Sequence, residues 1–223
     1  MFSATPDFAT VMHIPIFPLN TVLFPGGLLP LRVFETRYVD MVRECMQKGM
    51  PFGVNLIRSG TEVAHDKTPA VPEPTGTLAE IADFDMTEPG ILQIKVRGTQ
   101  RFTILTSQAD PSGLLRAEVE LLEIETTTPI NLPHLPCVQL LKRITDQFPK
   151  HNEPTAPDEH GQTAQNPFWE PYQFDDASWV GNRLSEILPI PNKAKQKLME
   201  LLDADARLAV ILDYLVQHQI VSR

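Results

Sequence analysis

Cysteine is scarce in this chain. There are two, Cys45 and Cys137, too few for a four-thiolate metal site, and neither has a C-x-x-C neighbour. Both fall in amphipathic helical patterns, so they are expected as small buried side chains of a reducing compartment, not as disulfide partners or nucleophiles. No apolar run is long enough to span a bilayer. The opening MFSATPDFAT lacks the basic and then apolar regions of a signal peptide, and the expectation is a cytoplasmic protein with no membrane partner. Positive charge is also short. Lys and Arg total 19 against 28 Asp and Glu, for a net charge of −9, which disfavours nucleic-acid phosphates and anionic lipid alike. No glycine is followed by lysine, so the GxxxxGK[ST] phosphate loop is absent. No internal repeat is present.

What the chain does have is an unusual spacing of Pro, Gly and aromatics from Phe17 to Tyr38, FPLNTVLFPGGLLPLRVFETRY. Phe17-Pro18-Leu19-Asn20 reads as a strand running into a turn, since Pro18 cannot donate to a ladder and Asn20 tolerates turn geometry. Phe24-Pro25-Gly26-Gly27 is a second turn. Leu28 to Val33 is a short apolar strand, and Phe34-Glu35 opens a helix that carries Tyr38, Val42, Cys45 and Met46 at helical spacing until Gly49 stops it. Further strands are expected at Phe52 to Ile57, at Thr77 to Asp85, over Leu92, Ile94 and Val96 with Gly98 turning the chain, at Phe102 and Ile104, and from Leu114 to Ile124.

The second part reads as helix. Val138, Leu141, Ile144 and Phe148 form one apolar face after Pro136. Trp179, Leu184, Ile187 and Leu188 form another after Asp175-Asp176. Asn192 is placed as the N-cap of a helix carrying Leu198, Leu201 and Leu202, and Leu208, Ile211, Leu212 and Leu215 follow from Asp205. Strands first and helices after indicate an α+β chain. The boundary falls in Thr126 to Pro136, giving a sheet domain over 1–126 and a helical domain over 127–223. Ser59 to Thr75 and Pro149 to Pro171 read as loops; a loop as long as the second is either functional or mobile.

Candidate sites are few. The strand-to-helix junction at Phe34, Glu35, Arg37 and Tyr38 leads, because a helix start exposes backbone amides and a positive dipole end beside aromatics of large contact area. Phe24, Phe34 and Tyr38 are the apolar candidates for contacting peptide side chains. Their competing reading is core, placed ahead for Phe34 and held even for Tyr38. Arg97 and Arg101 form a candidate pair for an acidic ligand, against ordinary surface arginines. Asp83, Asp85 and Glu88 read as an exposed turn, not as acid–base chemistry, which needs burial. His151, Asp158, Glu159 and His160 have metal-ligand chemistry but sit in a Pro-rich loop that offers no rigid support. No cofactor and no metal are expected.

The pattern FPLNxVLFPGxxLPLxxFExRY resembles the opening of the Lon protease N-terminal, substrate-binding domain. Phe52-Gly53-Val54, Gly60-Thr61-Glu62-Val63 (with Ala64 where glycine is usual), Gly76-Thr77-Leu78-Ala79-Glu80-Ile81 and Val96-Arg97-Gly98-Thr99-Gln100-Arg101-Phe102 resemble further family motifs in order. Ser178-Trp179 with Glu186-Ile187-Leu188-Pro189 resembles the helix that precedes the family's closing pair, and Lys195-Gln196-Lys197-Leu198-Met199-Glu200-Leu201 resembles its KQ-x-LLEL motif. The resemblance runs from about Ile14 to Leu215. It implies a PUA-like, partly closed β-barrel with an inserted helix, followed by a C-terminal helical bundle. It also implies a role in recognising unfolded or exposed apolar protein segments, with a separate ATPase or protease as a candidate partner and self-association open. No serine stands in a Gly-rich peptidase motif with a partnered lysine, so a non-catalytic module is expected. The alternatives are RNA or nucleotide binding through the barrel, which the acidic balance opposes, and a small-molecule-binding barrel or enzyme.

Overall fold

The computed structural model describes residues 10–61, 70–88, 90–148, 166–168 and 170–222. The chain divides into two compact units. The first is Met1–Pro25 with Leu29–Ile124; the second is Gly26–Leu28 with Glu125–Arg223. The grouping of Gly26–Leu28 with the second unit has no counterpart in the sequence reading.

The first unit is built on seven strands: β1 (Val11–Leu19), β2 (Leu28–Val33), β3 (Phe52–Ser59), β4 (Val71–Pro72), β5 (Thr75–Glu88), β6 (Ile91–Ala109) and β7 (Leu115–Leu121). Five of them close a ring in the order β1-β7-β6-β5-β3, and a parallel β1–β3 pairing returns to the start. The other ring pairings are antiparallel. β2 pairs with β6, and β4 with β3.

β1 shows why both faces of this ring must be apolar. From Ile14 to Leu19 every residue is buried, because alternate side chains point to opposite faces. Ile14 and Ile16 join Leu78, Phe102, Ala117 and Val119 in the barrel interior. Phe17 and Leu19 join the outer layer beneath helix α1 (Thr36–Lys48), whose buried face is Tyr38, Met41, Val42 and Cys45. Glu35 is the N-cap residue, and Gly49 ends the helix in the left-handed region at φ 62°. The expected α1 and β2 are therefore found where the apolar spacing puts them.

Gly98 departs from expectation. It does not turn the chain, and β6 runs through it for 19 residues. Its missing side chain serves a close approach instead, since a Cβ there would lie 2.2 Å from the Phe24 carbonyl oxygen. Thr77 holds the same loop by donating its hydroxyl to the Leu23 carbonyl at 2.7 Å. Both residues belong to the motifs that carry the resemblance, and both pin the Phe17–Pro25 stretch to the barrel.

The second unit holds helices α2 (Leu135–Thr145), α3 (Ala177–Ile187), α4 (Asn192–Glu200) and α5 (Ala204–Gln217), with a short 3₁₀ turn at Leu132–His134. Asp176 caps α3 by accepting from the Ser178 amide at 3.0 Å, and Asp203 caps α5 through the Ala206 amide at 3.1 Å. Asn192 is not a cap: Pro191 occupies that position and Asn192 is the first helical residue. Leu202 lies past the end of α4 and is exposed. The Pro149–Pro171 loop, including His151, Asp158, Glu159 and His160, lies largely outside the described residues. No described helix is long and apolar enough to cross a membrane.

Candidate functional site

At the strand-to-helix junction the two neighbouring aromatics part company. Phe34 follows the last residue of β2 and precedes the N-cap of α1, so no face of either element claims it. It is 55% exposed, which corrects the core reading placed ahead for it. Tyr38 sits on the buried face of α1 at 5% exposure, stacked on Phe17 with ring centroids 4.1 Å apart. Phe24 is fully buried. Tyr38 and Phe24 are core side chains and offer no exposed contact.

Arg37 and Glu35 are held by the protein itself. Arg37 Nη2 lies 2.9 Å from Glu35 Oε2, and its Nη1 donates to the Gly113 carbonyl at 2.9 Å. Its guanidinium carbon stands 4.5 Å from the Tyr38 ring centroid, a cation–π contact. With Arg37 so engaged, Phe34 is the exposed contact that the junction offers.

A second feature of the first unit is a half-open groove of about 400 Å³ between α1 and β5. One wall is the end of α1 and the turn after it, with Cys45, Met46, Gly49, Met50 and Pro51. The other is β5 from Glu80 to Phe84. Met46 is 39% exposed, Phe84 57%, and Met86, farther along β5, 62%. Methionine adapts its shape to irregular apolar partners. The groove's charged lining residues are both acidic, Glu80 and Asp83. The expected exposed turn at Asp83, Asp85 and Glu88 is instead part of strand β5. The available signal was the alternation Asp83-Phe84-Asp85-Met86, which places large apolar side chains between acids at the far end of a strand.

The other candidates do not assemble. Arg101 is buried and Arg97 is exposed, so they form no common patch. Arg116 binds Glu44 at 2.9 Å and Asp110 at 3.2 Å, and these contacts hold both carboxyls below their ordinary range, through Arg116 for Glu44 and through Ser112 first for Asp110. Burial pushes the Cys45 thiol up to about 11 and Cys137 to about 12, so neither supplies a thiolate at neutral pH. No cluster of three metal-ligating side chains occurs among the described residues.

In the second unit, Glu125 and Arg207 form an ion pair that the sequence reading missed. Arg207 is fully buried. Its Nη2 lies 2.5 Å from Glu125 Oε1 and its Nη1 donates to Oε2 at 3.2 Å. Nε donates to the Leu198 carbonyl at 3.0 Å, and Asn182 Nδ2 donates to Glu125 Oε2 at 3.1 Å. The pair ties the start of the unit to α3, α4 and α5 and has no access for a substrate.

Comparison with known proteins converges on one family. Zebrafish (Danio rerio) protein cereblon is 30% identical over 161 residues, covering 68% of this chain and 34% of that protein. Lon protease 2 from Myxococcus xanthus is 23% identical over 206 residues, covering 91% of this chain and 23% of the protease. The crystal structure of a Lon N-terminal domain protein from Xanthomonas campestris superposes with a TM-score of 0.70 at 32% identity, covering 91% of this chain and 98% of that one. The chain thus spans about a third of that cereblon's length and about a quarter of that protease's, and the part of Lon that it matches is the substrate-binding domain, not the ATPase or peptidase part. The family model for the ATP-dependent protease La (LON) substrate-binding domain matches residues 13–217, and the chain belongs to that family.

Proposed function

We propose that this chain is a non-catalytic recognition module that binds exposed or unfolded apolar segments of other proteins, and that the groove between α1 and β5 is its main contact. The observation that carries the reading is the exposed pair Met46 and Phe84 beside half-buried Met50, with exposed Met86 beyond. Fully burying a large apolar side chain is worth about 1.5–3 kcal/mol, and a partner recovers the share of it that these half-exposed side chains still present to water. Phe34 is a second apolar contact, beside a Glu35–Arg37 pair already committed within the domain. On this reading a separate ATPase or protease is a candidate partner for the module.

The alternatives lack support from the described residues. The barrel interior is occupied by side chains such as Phe102, Ile16 and Val119, which gives a small-molecule site there no support. The net charge of −9 opposes RNA.

The test is a solution titration with fluorescent unfolded or apolar peptides. Saturable binding is expected, and Phe84→Ser with Met46→Ser should weaken it by about tenfold or more, roughly 1.4 kcal/mol. Absence of saturable binding at high micromolar peptide overturns the reading. Binding that the two substitutions leave unchanged moves the contact away from the groove, with Phe34→Ser as the next variant.

A further inference from the structure

The far half of β5 is an open sheet edge. β5 pairs with β6 from Thr75 to Glu88, with register shifts after Thr77, Ile81 and Asp85, but with β3 only at Thr77, Leu78 and Ala79. Beyond Ala79 its other edge meets no strand among the described residues. The groove against Met46 and Met50 lies along it.

Two hydrogen bonds show which way this edge faces. The Phe84 amide donates to Asp83 Oδ1 at 2.9 Å, and the Met86 amide donates to Asp85 Oδ1 at 2.7 Å. An amide facing β6 has a strand backbone about 4.8 Å away and no room for a carboxylate between. The Phe84 and Met86 amides therefore face the open edge, each plugged by the carboxylate of the residue before it. Unpaired edges invite other strands, and charge at the edge is the usual guard. Here the guard has a sign. Glu80, Asp83 and Asp85 make the edge acidic, so two copies of it repel while a basic segment is attracted.

Resting on the reading of the chain as a recognition module, we propose that this edge binds its partner by strand addition, and that the partner is an extended segment with apolar residues at alternate positions and Lys or Arg between them. Carbonyls of the segment accept from the Phe84 and Met86 amides. The displaced carboxylates of Asp83 and Asp85 pair with its basic side chains. Its apolar side chains enter the groove against Met46, Met50 and Phe84. Recognition then runs mainly through the backbone and tolerates many sequences, with charge as the discriminator.

The experiment separates backbone pairing from simple apolar capture. The full chain is titrated with an eight-residue peptide alternating Leu and Lys, and with its Leu–Glu counterpart. Met86→Ala removes a side chain; Met86→Pro also removes the edge-facing amide, and proline is tolerated where a strand's N–H faces outward. The Lys peptide should bind at least about tenfold more tightly than the Glu peptide, and Met86→Pro should weaken it at least about tenfold beyond Met86→Ala. Should the proline variant fail to fold, amide exchange of the unmodified chain decides: the bound Lys peptide should slow exchange at Phe84 and Met86 at least about tenfold. Equal binding by Met86→Pro and Met86→Ala, or unchanged exchange at both amides, overturns strand addition while leaving a peptide-binding module intact. Equal affinity for the Lys and Glu peptides overturns the basic partner. Concentration-dependent dimerisation that competes with the peptide makes a second copy the occupant and overturns the proposal. No binding of any apolar peptide overturns the functional reading itself.

Discussion

Replacing Arg207 by Met is the most informative single perturbation of the helical unit. The substitution keeps an unbranched stem of similar reach and removes only the guanidinium. Arg207 is fully buried and Glu125 nearly so, its side chain 9% exposed. Without Arg207, the Glu125 carboxylate keeps the Asn182 amide at 3.1 Å but loses its counter-charge. The carbonyls of Leu198 and Leu201 also lose a donor. Breaking a buried pair by removing one partner costs about 3–5 kcal/mol, because the remaining charge is left in a poor solvent. Against a typical stability of about 5–15 kcal/mol, that is a large share of the whole.

The assay is urea unfolding followed by tryptophan fluorescence. Trp179, on α3, belongs to the second unit, so its signal reports that unit. Arg207→Met should lower the midpoint with an unchanged slope. Arg207→Lys should fall between, since an ammonium reaches Glu125 but cannot reproduce the fork. The double variant Arg207→Met, Glu125→Met should recover much of the loss, because it removes the stranded charge along with its partner. A loss below about 1 kcal/mol for the single variant, or a double variant clearly worse than the single, refutes the argument that desolvated charge sets the cost.

Three further outcomes follow from the same geometry. Tyr38→Ala should cost about 3–5 kcal/mol through the cavity left in the core, the lost Phe17 stack included, whereas exposed Phe34→Ala should stay within about 0.5 kcal/mol, both read by thermal unfolding followed by circular dichroism. Gly98→Ala should destabilise the barrel by at least about 1–3 kcal/mol, since its Cβ would press on the Phe24 carbonyl and backbone must move; an unchanged midpoint would show that the loop is not seated there. Glu186 pairs with buried Arg183 at 2.9 Å and keeps 19% of its side chain exposed; burial still outweighs the pull of Arg183 and Lys195 and pushes its carboxyl up to about 7, so between the ordinary 4.5 and 7 the folded state holds a proton that the unfolded chain releases. Stability from this group is full below pH 4.5, falls as pH rises to about 7 with a slope of at most about 1.4 kcal/mol per pH unit, and is level above; Glu186→Gln should remove that slope from fluorescence-monitored urea midpoints.

The sequence patterns that proved legible are those in which one element decides its own period. Tyr38, Val42 and Cys45 share a helical face, and that face is buried. Phe34 lies outside both β2 and α1, so neither period constrains it, and that is why its exposure had to come from tertiary structure. Gly98 misled for a related reason. A glycine inside an alternating run signals either a turn or a close approach, and only the passing Phe24 carbonyl distinguishes them. Arg207 was legible in principle. It stands among Ala204, Leu208 and Ile211 on the buried face of α5, and a charge at a core position demands a partner. Its partner, Glu125, lies 82 residues away, beyond the reach of any local spacing rule. The groove is hidden more deeply, because its two walls come from α1 and β5 and neither wall looks like a site alone. The exception is Asp83-Phe84-Asp85-Met86. A strand that alternates acids with large apolar residues has no conventional buried face for the apolar set to join at its exposed end. Such a segment is better read as a guarded edge than as a turn, because the acids have a physical task there: they occupy the amides of Phe84 and Met86 until another strand does.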